Sequence, residues 1–186
     1  MNLANNITIL RILLAPVFIG CLVYYSPERP WLHGVSVGLF ALACLTDGLD
    51  GFLARKMGEV TELGSYIDPI ADKMLLVSGF LSLSFMGHLP VPMRIPAWVT
   101  LVVISRDVVI LIGSLLVFIS TGHLKAEPLF IGKLTTVCQM ASLFAALVMM
   151  PETLRSVLFL VTVAFTLISG LRYIRLGGRL LQSVMK

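Results

Sequence analysis

Six stretches of about 20 mostly apolar residues, separated by short polar or proline-bearing breaks, constrain this chain more than any other feature. They run roughly over 7–25, 33–55, 63–87, 95–120, 131–150 and 153–176. Backbone polar groups inside hydrocarbon must be satisfied within the segment, so each stretch reads as a helix. Of the 186 residues, 58% are hydrophobic and only 13% are charged. A soluble domain carries about 25% charged residues. The expected fold class is therefore an all-α integral membrane protein, a six-transmembrane-helix bundle forming a single membrane domain over 1–186.

The breaks give the order of the spans. Ser26-Pro-Glu-Arg-Pro30 and His88-Leu-Pro-Val-Pro92 read as proline-rich turns. Met150-Pro-Glu-Thr153 is short, which makes the fifth and sixth spans antiparallel neighbours. The N-terminus lacks a basic stretch ahead of its apolar run, and Arg11 interrupts that run, so it reads as a retained first span and not as a signal peptide. Cys21, Cys44 and Cys138 sit in apolar runs with no metal-ligand spacing and read as small packing residues. His33, His88 and His123 lie at loop edges and read as interfacial side chains.

Charge gives the orientation. With a cytosolic N-terminus, the cytosolic ends hold Arg55, Lys56, Lys125, Lys133, Arg172, Arg175, Arg179 and Lys186, and the opposite face holds Arg29, Arg94 and Arg155. Basic loops favour the cytoplasm, so both termini are expected inside a bacterial-type inner membrane. The modest net charge of +4, placed this way, points to a membrane surface and not to nucleic acid. Arg172, Arg175 and Arg179 recur at helical spacing, as in an interfacial helix on anionic lipid or a solvated topology signal.

Four of the five aspartates, Asp47, Asp50, Asp68 and Asp72, fall on the second and third spans, which the short polar link from Lys56 to Glu62 joins. Asp47 and Asp50 are one turn apart, as are Asp68 and Asp72. A regular antiparallel hairpin brings residue i level with roughly residue 118 − i, so the four carboxylates converge in one layer. Carboxylates crowded near hydrocarbon take up protons unless cations neutralise them. Hard oxygen donors suit Mg²⁺ or Mn²⁺, and two such ions would clamp a diphosphate. Arg55, one turn beyond Asp50, adds a fixed positive charge, and Gly48, Gly51, Ala54 and Gly64 leave room for close approach.

Asp47, Asp50, Gly51, Ala54, Arg55, Gly64, Asp68 and Asp72 match every fixed position of D-x2-D-G-x2-A-R-x8-G-x3-D-x3-D. In this the chain resembles the CDP-alcohol phosphatidyltransferases, and the six-span layout extends the resemblance along most of its length. The resemblance implies that Asp47, Asp50 and Asp68 hold two divalent ions, with Asp72 at the edge of that metal site as general base. It implies that Gly51, Ala54, Arg55 and Gly64 form the CDP site, which the charge distribution expects at the cytosolic membrane surface. It further implies CDP-diacylglycerol as donor, membrane lipids as surroundings and a homodimer as assembly.

The acceptor is less sharply written. Asn5-Asn-Ile-Thr-Ile-Leu-Arg11, Gly132-Lys-Leu-Thr-Thr136 and Gln139 resemble the branch that uses glycerol 3-phosphate to make phosphatidylglycerol phosphate. Arg106 interrupts an apolar span, as an acceptor-phosphate ligand or as the structural partner of Asp107. Lys133 is a second anion contact or a positive-inside anchor. Against this branch, Ser114 stands where its members resemble one another in carrying an arginine. The Arg106-Asp107 pair also looks like the cardiolipin synthases, whose acceptor is phosphatidylglycerol. A membrane transporter with a buried acidic ion site is the alternative of another class. It predicts acids near the bilayer midplane and internal repeats, whereas these acids cluster toward one surface and no repeat is seen.

Overall fold

A computed structural model describes the backbone of residues 3–57, 62–121 and 130–184, and the side chains of 10–46, 73–115, 119, 130–176 and 178. Among them every regular element is helical: α1 (Leu3–Val23), α2 (Trp31–Met57), α3 (Glu62–Phe85), a 3-10 turn at Val91–Met93, α4 (Ala97–Thr121), α5 (Phe130–Leu147) and α6 (Glu152–Val184). The six helices occupy the six apolar stretches. Three helical stretches are long and apolar enough to cross a membrane over their described residues: Val91–Leu115, Phe130–Leu147 and Glu152–Leu176. Shorter apolar stretches cover Leu10–Val23, Trp31–Thr46 and Lys73–Phe85. The arginine-bearing C-terminal segment does not form a separate helix; it continues α6 to Val184.

The chain divides into two compact units, Met1–Ile95 with Leu143–Pro151, and Pro96–Ser142 with Glu152–Lys186. In the first, α1 packs against both α2 and α3. Phe18, Phe40, Leu76, Phe80 and Leu83 are fully or almost fully buried at its centre. The rings of Phe18 and Phe40 lie 5.9 Å apart, centroid to centroid. Gly79 of α3 meets the same Phe18: a β-carbon there would stand 3.6 Å from the ring and 3.1 Å from Leu143. A small residue is what lets α3 approach this closely.

The helix ends of this unit are tied by histidines. His33 Nε2 donates to the carbonyl of Leu147, the last residue of α5, at 2.6 Å, and His88 Nε2 donates to the carbonyl of Leu22 at 2.8 Å. The final carbonyls of a helix lack intrahelical donors, so each ring satisfies a group that the apolar surroundings leave unpaired. Arg94 does the same for the loop after α3, donating to the carbonyls of Gly87 and Leu89, while Leu89, Met93 and Ile95 are buried beneath it. Replacing His33 or His88 by alanine is expected to cost about 1 kcal/mol each, read as a lower melting temperature of the purified protein. Met149 closes α5 in the left-handed region (φ 53°), and the amides of Met149 and Met150 bond back to Ala146 and Ala145. That bonding pattern ends a helix sharply, and Pro151 prevents its resumption.

The second unit is polar inside and apolar outside. Thr100, Thr135, Gln139, Ser142, Thr162, Thr166 and Ser169 are fully buried, while Leu101, Leu111, Ile119, Leu160 and Leu171 are exposed. Water would invert that arrangement; a hydrocarbon solvent permits it. Ser142 Oγ lies 2.8 Å from Thr162 Oγ1, Thr162 Oγ1 donates to the Cys138 carbonyl at 3.0 Å, and Thr135 Oγ1 donates to the Phe165 carbonyl at 3.2 Å. As the residue number rises on α5 its partner falls on α6, so the two helices are antiparallel neighbours, as the short link predicts.

Candidate active site

Helix α2 carries Asp47, Asp50, Gly51, Ala54 and Arg55, and α3 carries Gly64, Asp68 and Asp72. The side chains of all eight lie outside the described residues. Their helical setting is what their three- and four-residue spacing demands: each aspartate pair spans one turn. Among the described residues no group of three or more His, Cys, Asp or Glu side chains forms a metal site.

The second candidate cluster is fully described. Arg106 lies in the middle of α4 and is 8% exposed. Its Nη1 donates to Asp107 Oδ1 at 2.8 Å and its Nη2 to Ser169 Oγ at 2.7 Å. Its guanidinium carbon stands 5.6 Å from the ring centroid of Tyr173. Helix α5 reaches the same point through Gly132, whose missing side chain leaves the space: a β-carbon would lie 3.1 Å from Tyr173 Oη and 3.3 Å from Arg106 Nη2. Arg106 Nε is buried with no hydrogen-bond partner, so the guanidinium keeps an unspent donor. A buried, fixed fork of N–H donors is suited to a planar or tetrahedral oxyanion.

The pair with Asp107 is one of the two sequence readings of Arg106, and its Nε–H is donor capacity beyond that pair. Lys133, by contrast, is exposed, although its neighbour Gly132 is buried against Arg106. Arg11 is buried, at 2% exposure. Gln139 is fully buried, and neither its Oε1 nor its Nε2 has a hydrogen-bond partner. A buried unsatisfied amide is destabilising, so Gln139→Met, which keeps the volume, is expected to raise stability by about 1–2 kcal/mol in a denaturation assay. A less stable variant would show that the amide has a partner in the folded protein.

Sequence comparison decides the family. A sequence profile described as CDP-alcohol phosphatidyltransferase matches residues 1–168. The chain belongs to the CDP-alcohol phosphatidyltransferase family. The matched region includes α2, α3 and Arg106, and it ends one residue before Ser169. A phosphatidyltransferase from Mycobacterium tuberculosis, named a probable phosphatidylglycerophosphate synthase, is 36% identical over 93% of this chain and 80% of its own length. One from Bacillus subtilis, named CDP-diacylglycerol–glycerol-3-phosphate 3-phosphatidyltransferase, is 36% identical over 92% of this chain and 93% of its own. The Salmonella typhimurium relative of the same name is 32% identical over 93% of each. These phosphatidyltransferases align along nearly the whole chain, and their names favour neither the cardiolipin synthase nor the transporter reading.

The residues that sequence reasoning missed are Ser169 and Tyr173. Their signal was present: Thr162, Thr166, Ser169 and Tyr173 recur at four, three and four residues along an apolar span. That spacing is one helical stripe. Gly132, Thr135, Gln139 and Ser142 form the matching stripe on α5.

Proposed function

We propose that this phosphatidyltransferase moves a phosphatidyl group from CDP-diacylglycerol to glycerol 3-phosphate and releases CMP. The observation that carries the reading is the placement of all eight signature residues on two consecutive helices, α2 and α3. Both helices pack against α1, where Phe40 of α2 and Gly79 of α3 each lie beside Phe18. A regular antiparallel hairpin of these two helices would put Asp50 level with Asp68 and Asp47 close to the level of Asp72. The relatives' names support the acceptor.

Asp47, Asp50 and Asp68 would hold two divalent ions, Mg²⁺ or Mn²⁺, with Asp72 at the rim. An all-carboxylate donor set at one-turn spacing fits hard cations of this kind. Bound there, the ions supply neutralisation of the diphosphate charge. Arg55 adds a fixed cation beside the same phosphates, while Gly51, Ala54 and Gly64 keep space for the nucleotide. Asp72 accepts the proton of the acceptor hydroxyl, whose oxygen forms a bond to the lipid-linked phosphorus as the bond to CMP breaks. Arg106 binds the acceptor phosphate from α4, and exposed Lys133 adds long-range attraction. The rate comes from alignment and charge compensation, as in other phosphoryl transfers.

The distribution of Lys and Arg supports six spans, a site at the cytosolic surface of an inner membrane and both termini inside. A homodimer is the assembly that the family resemblance implies. The test is to supply purified protein with CDP-diacylglycerol, Mg²⁺ or Mn²⁺, and either glycerol 3-phosphate or phosphatidylglycerol. Phosphatidylglycerol phosphate and CMP, abolished by chelation, are expected from the first acceptor. Cardiolipin from the second alone would transfer the chain to the other branch, and no CMP from either would end the reading.

A further inference from the structure

We propose that Ser169 and Tyr173 of α6, with the bare backbone of Gly132 on α5, are positioning residues that aim Arg106 at the acceptor phosphate and thereby set acceptor affinity. This rests on the reading that Arg106 contacts that phosphate.

Arginine has a long, rotatable side chain, and its value as an oxyanion ligand depends on how its fork is fixed. Here it is fixed from several directions. Asp107 and Ser169 each hold one terminal nitrogen, at 2.8 and 2.7 Å. The Tyr173 ring lies against the guanidinium at 5.6 Å. Gly132 admits both, since a β-carbon would crowd Tyr173 Oη at 3.1 Å and Arg106 Nη2 at 3.3 Å. Ser169 and Tyr173 are one turn apart on α6, so a single helix presents both contacts. Ser169 is fully buried, a site where a hydroxyl needs a partner, and the partner it has is the arginine. The orphaned Nε–H of Arg106 shows that the holding groups leave the fork incompletely used. An anion is the natural complement to that remainder.

The experiment measures KM for glycerol 3-phosphate, KM for CDP-diacylglycerol and melting temperature for Ser169→Ala, Ser169→Thr, Tyr173→Leu, Tyr173→Phe and Gly132→Ala in the full-length protein. Loss of one hydrogen bond to a charged group is expected to raise the acceptor KM roughly tenfold in Ser169→Ala, with the donor KM changed less than about twofold. Ser169→Thr restores the hydroxyl and most of the affinity. Tyr173→Leu raises the acceptor KM by about three- to tenfold, and Tyr173→Phe, which keeps the ring, does not. Gly132→Ala weakens acceptor binding in the same direction.

An unchanged acceptor KM in both Ser169→Ala and Tyr173→Leu would overturn the proposal. So would an equal rise in both KM values that tracks a loss of melting temperature, since that marks packing alone. Arg106→Lys separates this inference from the reading beneath it. If Arg106→Lys leaves the acceptor KM untouched, Arg106 is not an acceptor ligand; if it raises that KM while the other variants do not, only the positioning role falls. For a variant without turnover, the melting-temperature rise on adding glycerol 3-phosphate gives the same comparison: loss of the rise in Ser169→Ala with its return in Ser169→Thr supports the role, and an undiminished rise in Ser169→Ala refutes it.

Discussion

Asp72→Asn is expected to abolish measurable CMP release, with kcat falling by roughly 10²–10⁴-fold, while the protein still binds divalent ions and CDP-diacylglycerol. The amide is nearly the shape of the carboxylate but cannot accept the acceptor's proton. Asp47, Asp50 and Asp68 remain to hold the ions, so binding and turnover should separate. Asp50→Asn should instead weaken ion binding itself, visible as a higher Mg²⁺ or Mn²⁺ requirement. The contrast is the informative result. Titration of each variant with Mn²⁺, followed by a single-turnover assay at saturating ion, reads both halves. Full activity in Asp72→Asn would remove it from the role of base, and identical ion requirements in the two variants would remove the division of labour between them.

Arg106→Met is expected to destabilise the protein by about 3–5 kcal/mol, more than the loss of its own packing. Arg106 and Asp107 are 8% and 11% exposed, and their ion pair is 2.8 Å long. Removing the cation leaves the carboxylate almost out of contact with water and without its guanidinium, and Ser169 loses the donor it accepts from. The double replacement Arg106→Met with Asp107→Asn removes the carboxylate charge as well, so it should recover much of the loss. A thermodynamic cycle over the two single variants and the double variant measures that recovery. Additive losses would show that the pair is not coupled. The double variant should remain poor with glycerol 3-phosphate even when folded, because stability and acceptor recognition draw on the same guanidinium.

The helices were legible because hydrocarbon imposes a length and a composition on whatever crosses it. The predicted stretch 33–55 lies within α2 (Trp31–Met57), and the predicted 63–87 meets α3 (Glu62–Phe85) within two residues at each end. The antiparallel pairing of α5 with α6 was legible from the brevity of Met150-Pro-Glu-Thr153. The signature on α2 and α3 was legible because its chemistry requires fixed residue types at fixed gaps. Contacts between residues distant in sequence were not. His33 and His88 read as interfacial side chains, yet they close the ends of α5 and α1, because nothing local records which carbonyl a ring will meet. Arg106 was visible as a charge out of place, but its partner 63 residues away was not. Arg11 was visible too, and only packing decided that it is buried. Periodicity of polar residues within apolar spans was the overlooked clue: it marks the inward face in a solvent that has no affinity for hydroxyls.

Helix α6 runs unbroken for 33 residues. At 1.5 Å per residue that is about 50 Å, against a hydrocarbon thickness of about 30 Å. A rod standing along the bilayer normal would therefore extend beyond the acyl chains over about two-fifths of its length. Tyr173 and the exposed Arg172 and Arg175 share that rod with the apolar turns below them. Because α6 is continuous, the ring that stands against the Arg106 guanidinium and the two outward arginines ride on the same turns, so whatever displaces one of them displaces all three.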